Sequence, residues 1–391
     1  MKRIYLDHAA TTPTDPAVLE AMMPWFSERF GNPSSLHSFG REAKAAVESA
    51  RAKVADLLGA GPEEVVFTGG GTESDNMALR GVARALRDRG NRIVISAVEH
   101  HAVLEPCRDL AGEGFEITQL PVDGHGMVDP DDVARALTHR TVLVSVMHAN
   151  NEIGTIQPLA DIAHLAHAKG IYLHTDAVQT FGHVPFTVDE IGADLLSLSA
   201  HKLYGPKGAG ALYIRKGTRI AALLRGGGQE RGRRASTENV PGIVGLGKAA
   251  DVAREKLDAE VSGLSRLRER LIGGIRDRVE GIRLNGHPER RLPGNVSVSF
   301  EGVEAEPLLL TLDLMGIACS GGSACSSTSV EVSHVLSAIG LEAGMARGTI
   351  RFSLGRETTE GDIDRVLEVL PPVVKRLRAA GRKGTEARQN V

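Results

Sequence analysis

The chain has 391 residues, 42% apolar and 24% charged, with 46 Lys and Arg against 49 Asp and Glu and a formal charge of −3. That balance excludes a disordered chain and a protein held on nucleic acid by bulk positive charge, and three cysteines exclude a disulfide framework. No apolar run approaches the roughly 18 residues of a membrane span, and Asp7 interrupts the opening MKRIYLDHAA before a signal-type core forms. The expectation is a cytoplasmic protein of about two or three domains, with small molecules or proteins as partners, no direct nucleic acid and no membrane.

From Glu64 to Ile214, short β-branched runs alternate with helical patterns: EVVFT (64–68), RIVISAV (92–98), FEITQL (115–120), TVLVSVM (141–147), IYLHT (171–175), DLLSLS (194–199) and GALYI (210–214). Strands apolar on both faces and joined by helices predict an α/β domain with a mostly parallel, seven-stranded sheet. After Pro241 one long helix carries Leu257, Val261, Leu264, Leu267, Leu271, Ile275 and Val279 at steps of three or four. Strand-like NVSVSF (295–300), a helix around PLLLTLDLMG, a Gly/Ser-rich stretch from Ser320, strand TIRFSL and a closing helix near Ile363 to Leu377 predict a smaller α+β domain. The boundaries expected are 1–12 for an N-terminal segment packing with the small domain, 13–258 for the large domain, 259–380 for the small one, and 381–391 for a polar, frayed tail.

Ligands of parallel sheets bind beyond the carboxyl ends of the strands, so the residues there carry the functional signal. TGGGTESDN (68–76) runs from a strand through three glycines into a helix, the physics of an anion site, although a glycine turn with Thr72 as helix cap explains the segment alone about as well. Lys202, past DLLSLS beside His201, is placed to lose solvation and act as an amine nucleophile; standing alone it would be a solvated lysine. Asp176 in HTDAVQT, near Gln179, supplies a buried anion for a cationic ring nitrogen, or an N-cap. His100 in SAVEHHAV and Asn151 in MHANNEIG supply a ring to stack and an amide for a phenolic oxygen, or are satisfied polar residues at strand ends. Phosphate cradle, amine, ring-nitrogen partner, stacking group and hydroxyl partner together point to pyridoxal 5'-phosphate.

Cys325 stands among glycines and serines, where a travelling nucleophile fits better than a packing thiol. Cys319, behind Met315 to Ala318, reads as a small core residue, and Cys107 lies in a helix far away in sequence. No metal site is expected: CxxxxxC lacks zinc spacing, and HLAHA, with His164 and His167, lacks the acidic partner of a metal motif. RGGGQERGRR (225–234) reads as a loop with one or two anion contacts.

With these residues in place, the chain resembles the class V aminotransferase-fold cysteine desulfurases of the NifS/IscS type over nearly its whole length. The blocks that carry the resemblance are YLDHAATTP, FGNPSSLHSFG, TGGGTESDN, EHHAV, NNEIGTIQP, HTDAVQ, SLSAHKLYGPKG, GGGQERGRRAST, GSACSS and RFSLGRETT, in that order. The resemblance implies a fold type I, pyridoxal-phosphate-dependent homodimer. Such an enzyme takes sulfur from L-cysteine, leaves L-alanine and passes a persulfide to an acceptor protein, an iron-sulfur scaffold or a sulfur relay protein, for iron-sulfur cluster assembly or other thio-cofactor and tRNA thiolation. By the same resemblance Lys202 is the Schiff-base lysine, Asp176 the ring-nitrogen partner and His100 the stacking and proton-handling histidine. Asn151 and Gln179 contact the phenolic oxygen, Asn151 also facing substrate. Gly71, Thr72, Ser199 and His201 contact the phosphate, and Thr237 reaches it from the other subunit. Arg351 binds the substrate carboxylate, and Cys325 carries the persulfide. Two departures are CSGGSAC (319–325) where many relatives read Ser-Ser-Gly-Ser-Ala-Cys, which sets a second thiol, Cys319, close in sequence to Cys325, and a C-terminus without the aromatic scaffold-docking ending of the IscS branch. Alternatives on the same fold are a selenocysteine lyase or an aminotransferase; from another class, a degenerate binding protein.

Overall fold

The computed structural model describes residues 3–322 and 332–389, and only the backbone beyond Ala380. Seven short runs, six of them buried along nearly their whole length and the edge run Glu116–Leu120 partly exposed, form one sheet in the order Val65–Thr68, Gly210–Ile214, Leu195–Ser199, Tyr172–Asp176, Thr141–Ser145, Arg92–Ser96, Glu116–Leu120. Gly210–Ile214 runs antiparallel to both neighbours and every other pairing is parallel, so six strands share one carboxyl end. Helices cover both faces: Ser38–Leu58 and the first half of Val240–Arg278 enclose a core with Val144, Leu173 and Leu198, while Gly71–Ala85 and His101–Gly112 close the other with Ile93, Ile95 and Leu212.

The helix Val240–Arg278 serves two cores. Leu246, Ala250 and Ala253 pack into the large-sheet core, whereas Leu267, Leu271 and Ile275 pack with Val298, Phe300, Ile350 and Phe352 of a second. Fully burying each such side chain contributes about 1.5–3 kcal/mol. The second core sits on an antiparallel sheet ordered Ser320–Gly321, Thr349–Ser353, Asn295–Phe300, Ile282–Leu284. The N-terminal strand Ile4–Tyr5 pairs in parallel with Ile317–Ala318, burying Leu6 in that second core and setting Asp7 beside Ser353. The closing helix, Glu360–Gln389, runs on through the polar segment expected as a frayed tail, where Arg, Lys, Glu, Ala and Gln outnumber the poorer helix formers Gly381, Gly384 and Thr385.

Candidate active site

The carboxyl ends of the parallel strands open onto a cleft of about 350 Å³ between the large sheet and Arg351 of the small one. It is lined by Gly71, Thr72, His100, Asn151, Asp176, Gln179, Ser199, His201, Lys202 and Arg351, ten residues that sequence reasoning assigned to one site. Thr237 is exposed and does not line its own chain's cleft. Cys325 lies outside the described residues.

At one end of the cleft, the strand Val65–Thr68 enters the helix Gly71–Ala85 through Gly69 and Gly70. Gly70 has φ +152°, open to glycine alone at little cost, and a Cβ on Gly71 would come within 2.7 Å of Val178. The N-cap is Gly70, not Thr72, so Thr72 sits in the first turn, where unpaired N–H groups and the dipole favour an anion. Ser199 ends its strand opposite, and His201 Nδ1 lies 3.1 Å from Thr11 Oγ1. Burial and the neighbouring Lys202 and Lys207 push His201 down to about 4.

Lys202 closes a 3-10 turn directly after that strand, and its Nζ donates to the carbonyls of Ala9 at 2.5 Å and Ala10 at 2.6 Å. Gln179 Nε2 donates to the same Ala9 carbonyl at 3.1 Å, so the N-terminal segment forms part of the lysine's surroundings. Asp176 is the last residue of its strand, buried, and accepts from the Val178 N–H at 2.9 Å; no helix follows for it to cap. Burial, then the nearby Asp75, pushes its carboxyl up to about 7. His100 is the N-cap of the helix His101–Gly112: its Nδ1 accepts from the Ala102 N–H at 3.1 Å, which leaves the proton of the neutral ring on Nε2. Burial lowers its pKa.

The opposite wall comes from distant segments. Arg351, 1% exposed in the strand Thr349–Ser353, donates to the Asn151 carbonyl and to Asp7 Oδ1, each at 2.9 Å, and its buried Nε has no partner among the described residues. Cys319, between the strands Ile317–Ala318 and Ser320–Gly321, packs against the second core, and burial pushes its thiol up to about 12. Cys107 is buried in its helix and pushed up to about 12 likewise.

Sequence reasoning missed three buried acids of the cleft, Asp75, Glu99 and Glu152. Burial pushes them up to about 7, 8 and 7. Asp75 lies 3.5 Å from His174 Nε2, and His174 also contacts Ser145 and Ser197. Glu99 Oε1 accepts from Ser96 Oγ at 2.5 Å and the Met147 N–H at 2.8 Å, while Oε2 has no partner among the described residues. The available signal was an acid immediately beside a chosen residue, Glu99 before His100 and Glu152 after Asn151. His167, expected on a solvated face, is exposed and reaches Asp194 at 2.8 Å. The arginine-glycine loop is anchored internally: Glu230 pairs with buried Arg51 at 2.8 and 2.9 Å, and Arg234 pairs with Glu73 at 2.7 Å. Among the described residues no group of three or more His, Cys, Asp or Glu is placed to hold a metal.

The family model described as Aminotransferase class-V matches residues 4–366, and the chain belongs to that family. It is 56% identical over 379 residues to the cysteine desulfurase IscS of Dictyoglomus turgidum, covering 97% of this chain and 96% of that relative. It is 54% identical to the cysteine desulfurase IscS of Methanosarcina thermophila, covering 96% of this chain and 93% of that relative. Among solved structures, a NifS-like protein superposes with a TM-score of 0.90 at 40% identity, over 96% of this chain and all of that one. SspA in complex with cysteine superposes at 0.81 and 38% identity, over 90% of this chain and 98% of that one.

Proposed function

We propose that this chain is a pyridoxal-phosphate-dependent cysteine desulfurase that converts L-cysteine to L-alanine and carries the sulfur as a persulfide on Cys325. The observation that carries the reading is the meeting of Lys202, Asp176 and Arg351 on one cleft, in a chain more than half identical to cysteine desulfurases along almost its whole length. The cleft fits the cofactor: a glycine-lined helix N-terminus with Ser199 and His201 suits a phosphate, a primary amine suits an aldehyde, and a buried carboxyl raised by desolvation suits a ring cation. Gly71, Thr72, Ser199 and His201 would hold the phosphate, with Thr237 from a second copy, and Asn151 and Gln179 the phenolic oxygen. His100 would stack on the ring.

Bound there, pyridoxal phosphate supplies an electron sink for bonds at the substrate's Cα and Cβ. Arg351 fixes the substrate carboxylate through its planar fork, with Asp7 and the Asn151 carbonyl holding that fork in place. Lys202 Nζ would move a proton at Cα, and His100 Nε2 would hold one. The Cys325 thiolate attacks the substrate sulfur: an S–S bond forms, the Cβ–S bond breaks, its electron pair stays with the carbon fragment, and proton uptake there completes alanine. Enzyme thiol plus cysteine thus gives enzyme persulfide plus alanine, with no outside oxidant or reductant.

A homodimer is part of the proposal. Leu19, Met23, Phe26, Phe30, Leu36 and Phe39 are exposed within one short stretch, a surface that a second copy would cover. An iron-sulfur scaffold or sulfur relay protein as acceptor, and a cytoplasmic setting, complete it. Among the described residues no helix is long and apolar enough to cross a membrane. The test is brief treatment of the holoprotein with L-cysteine, with intact mass and alanine measured together. Equimolar alanine and a one-sulfur adduct, lost in Cys325→Ser, are expected; turnover of cysteine with neither product overturns the reading. Selenocysteine assayed in parallel separates the lyase alternative.

A further inference from the structure

The strand Val65–Thr68 is the outermost of the large sheet, with Gly210–Ile214 on one side and no strand of the sheet on the other. Such an edge leaves the N–H and C=O of every second residue without a ladder partner. Side chains stand in for the missing strand. The Val65 carbonyl accepts from Arg51 Nη1 at 2.8 Å, the Phe67 N–H donates to Glu230 Oε2 at 2.9 Å, and the Gly69 N–H donates to Glu73 Oε2 at 2.7 Å. Just before the strand, the Glu63 carbonyl accepts from Arg233 Nη1 at 3.4 Å.

The loop 225–234 supplies or anchors each of these groups. Both oxygens of Glu230 accept from the Arg51 fork, at 2.8 and 2.9 Å, and both oxygens of Glu73 accept from Arg234, at 2.7 and 3.2 Å. Arg51 and Glu230 are buried, and Glu230 and Arg231 hold φ of +46° and +57°, which residues with a Cβ rarely adopt. A buried ion pair and two strained residues persist where the surroundings over-determine them, and the groups of the open edge do so here. The same edge runs straight into the glycine turn at the cleft. Gly69 has no side chain to hold it, and its N–H is fixed by Glu73, an acid one place beyond Thr72. That carboxylate opposes an anion at the helix N-terminus unless its charge is matched, and Arg234 matches it.

We infer that Glu230 and Arg234 are positioning residues for the phosphate turn: the loop 225–234 seals the open edge of Val65–Thr68, fixes Gly69 through Glu73, and neutralises Glu73 beside the anion. The inference rests on the pyridoxal-phosphate reading for what the turn holds, and on geometry alone for the seal. Arg234→Ala leaves Glu73 bare at a partly exposed position. Glu230→Ala would strand buried Arg51, so the milder Glu230→Gln is used, which keeps an acceptor for Phe67 and loses the charged fork.

Two measurements are made on the full-length apoprotein. The first is affinity for pyridoxal phosphate set against affinity for pyridoxal, which lacks the phosphate. Arg234→Ala should weaken pyridoxal phosphate about tenfold and Glu230→Gln about threefold, with pyridoxal changing by less than about twofold in both. The second is residue-resolved amide hydrogen exchange. Gly69 should exchange at least about tenfold faster in Arg234→Ala and Phe67 severalfold faster in Glu230→Gln, while Val66, which faces Gly210–Ile214, keeps its wild-type rate. Both effects are required. Lost phosphate preference without faster exchange would trace to displacement of Thr237, just beyond the same loop, and overturns the proposal, as does faster exchange with the preference intact. Equal weakening of both ligands would mark general damage and overturns it too. If wild type binds pyridoxal as tightly as pyridoxal phosphate, the phosphate reading falls by itself, and the exchange contrast still decides whether the seal exists.

Discussion

The two walls of the cleft are built on different principles. The wall with Lys202, Asp176, His100 and Gly71 consists of residues at the last position of a buried strand or three to four places beyond it, so each inherits its position from a rigid ladder behind it. The wall with Arg351, Asp7, Asn151 and Glu152 is assembled across sequence separations of hundreds of residues, by an ion pair and hydrogen bonds between an N-terminal segment, a loop and the small sheet. Under the proposed function the first wall would hold the cofactor, which stays bound, and Arg351 of the second would meet substrate, which comes and goes. On that reading damage at Lys202 should cost the cofactor, and damage to the Arg351 fork should cost substrate affinity.

The largest effect expected is that of Lys202→Ala, which removes the amine of the first wall. Activity should fall at least about a thousandfold, and borohydride should no longer fix cofactor to the chain. Cofactor still fixed by borohydride in this variant would take Lys202 out of the site. On the second wall, Arg351→Lys keeps the charge and loses the fork, so apparent affinity for L-cysteine should weaken roughly ten- to a hundredfold, on the scale of a charged hydrogen bond. The cofactor's absorbance should be unchanged. Loss of cofactor here would show that the two walls do not act separately.

A third prediction uses the buried acids, most of which face the first wall. Asp75, Asp176 and Glu152 are pushed up to about 7 and Glu99 to about 8, against about 4 in an unfolded chain. Between pH 7 and 8.5 the native cofactor-free protein still releases these protons, whereas the unfolded chain already has. Stability must therefore fall as pH rises through that window, by on the order of 1 kcal/mol per pH unit for each group midway through titration. The buried histidines His148 and His174 and the half-buried His201, pushed down to about 4, act in the opposite sense and below pH 6.5, where the unfolded chain binds protons that they refuse. The melting temperature of apoprotein should drop from pH 7 to 8.5, less steeply in Asp176→Asn, and an apoprotein equally stable across the window would discredit the raised acids.

The contrast between the walls also explains what was legible beforehand. Strand-end placement is a local property, so a reader who recognises a doubly apolar run knows where its carboxyl end points, and Lys202, Asp176 and His100 follow. Arg351 was reached only through family resemblance, and its partner Asp7 was not reached, because 344 residues separate them and nothing periodic in MKRIYLDHAA announces an ion pair with the small sheet. Glu99 and Glu152 were passed over because an acid next to a strand reads as solvated; only the packing shows each buried. The closing helix runs past its expected end through a segment whose two glycines and polar composition signal a stop.

The smallest effect expected belongs to the thiol that departs from the family pattern. Cys319 is close enough to the second wall to feel Asp7 and Arg351, yet it packs with the second core, and burial holds its thiol at about 12. At neutral pH almost none of it is thiolate, the form that attacks sulfur. Cys319→Ser replaces sulfur by a smaller, more polar atom at a partly buried site, so a modest stability loss of about 1 kcal/mol is expected from the hydroxyl's poorer burial. Alanine release from L-cysteine should stay within about twofold of wild type, and the sulfur adduct after cysteine treatment should remain at one per chain. A variant that forms the adduct but releases alanine tenfold more slowly would mean that Cys319 relays sulfur from Cys325, and the second wall would then hold a reactive group where packing now accounts for the residue.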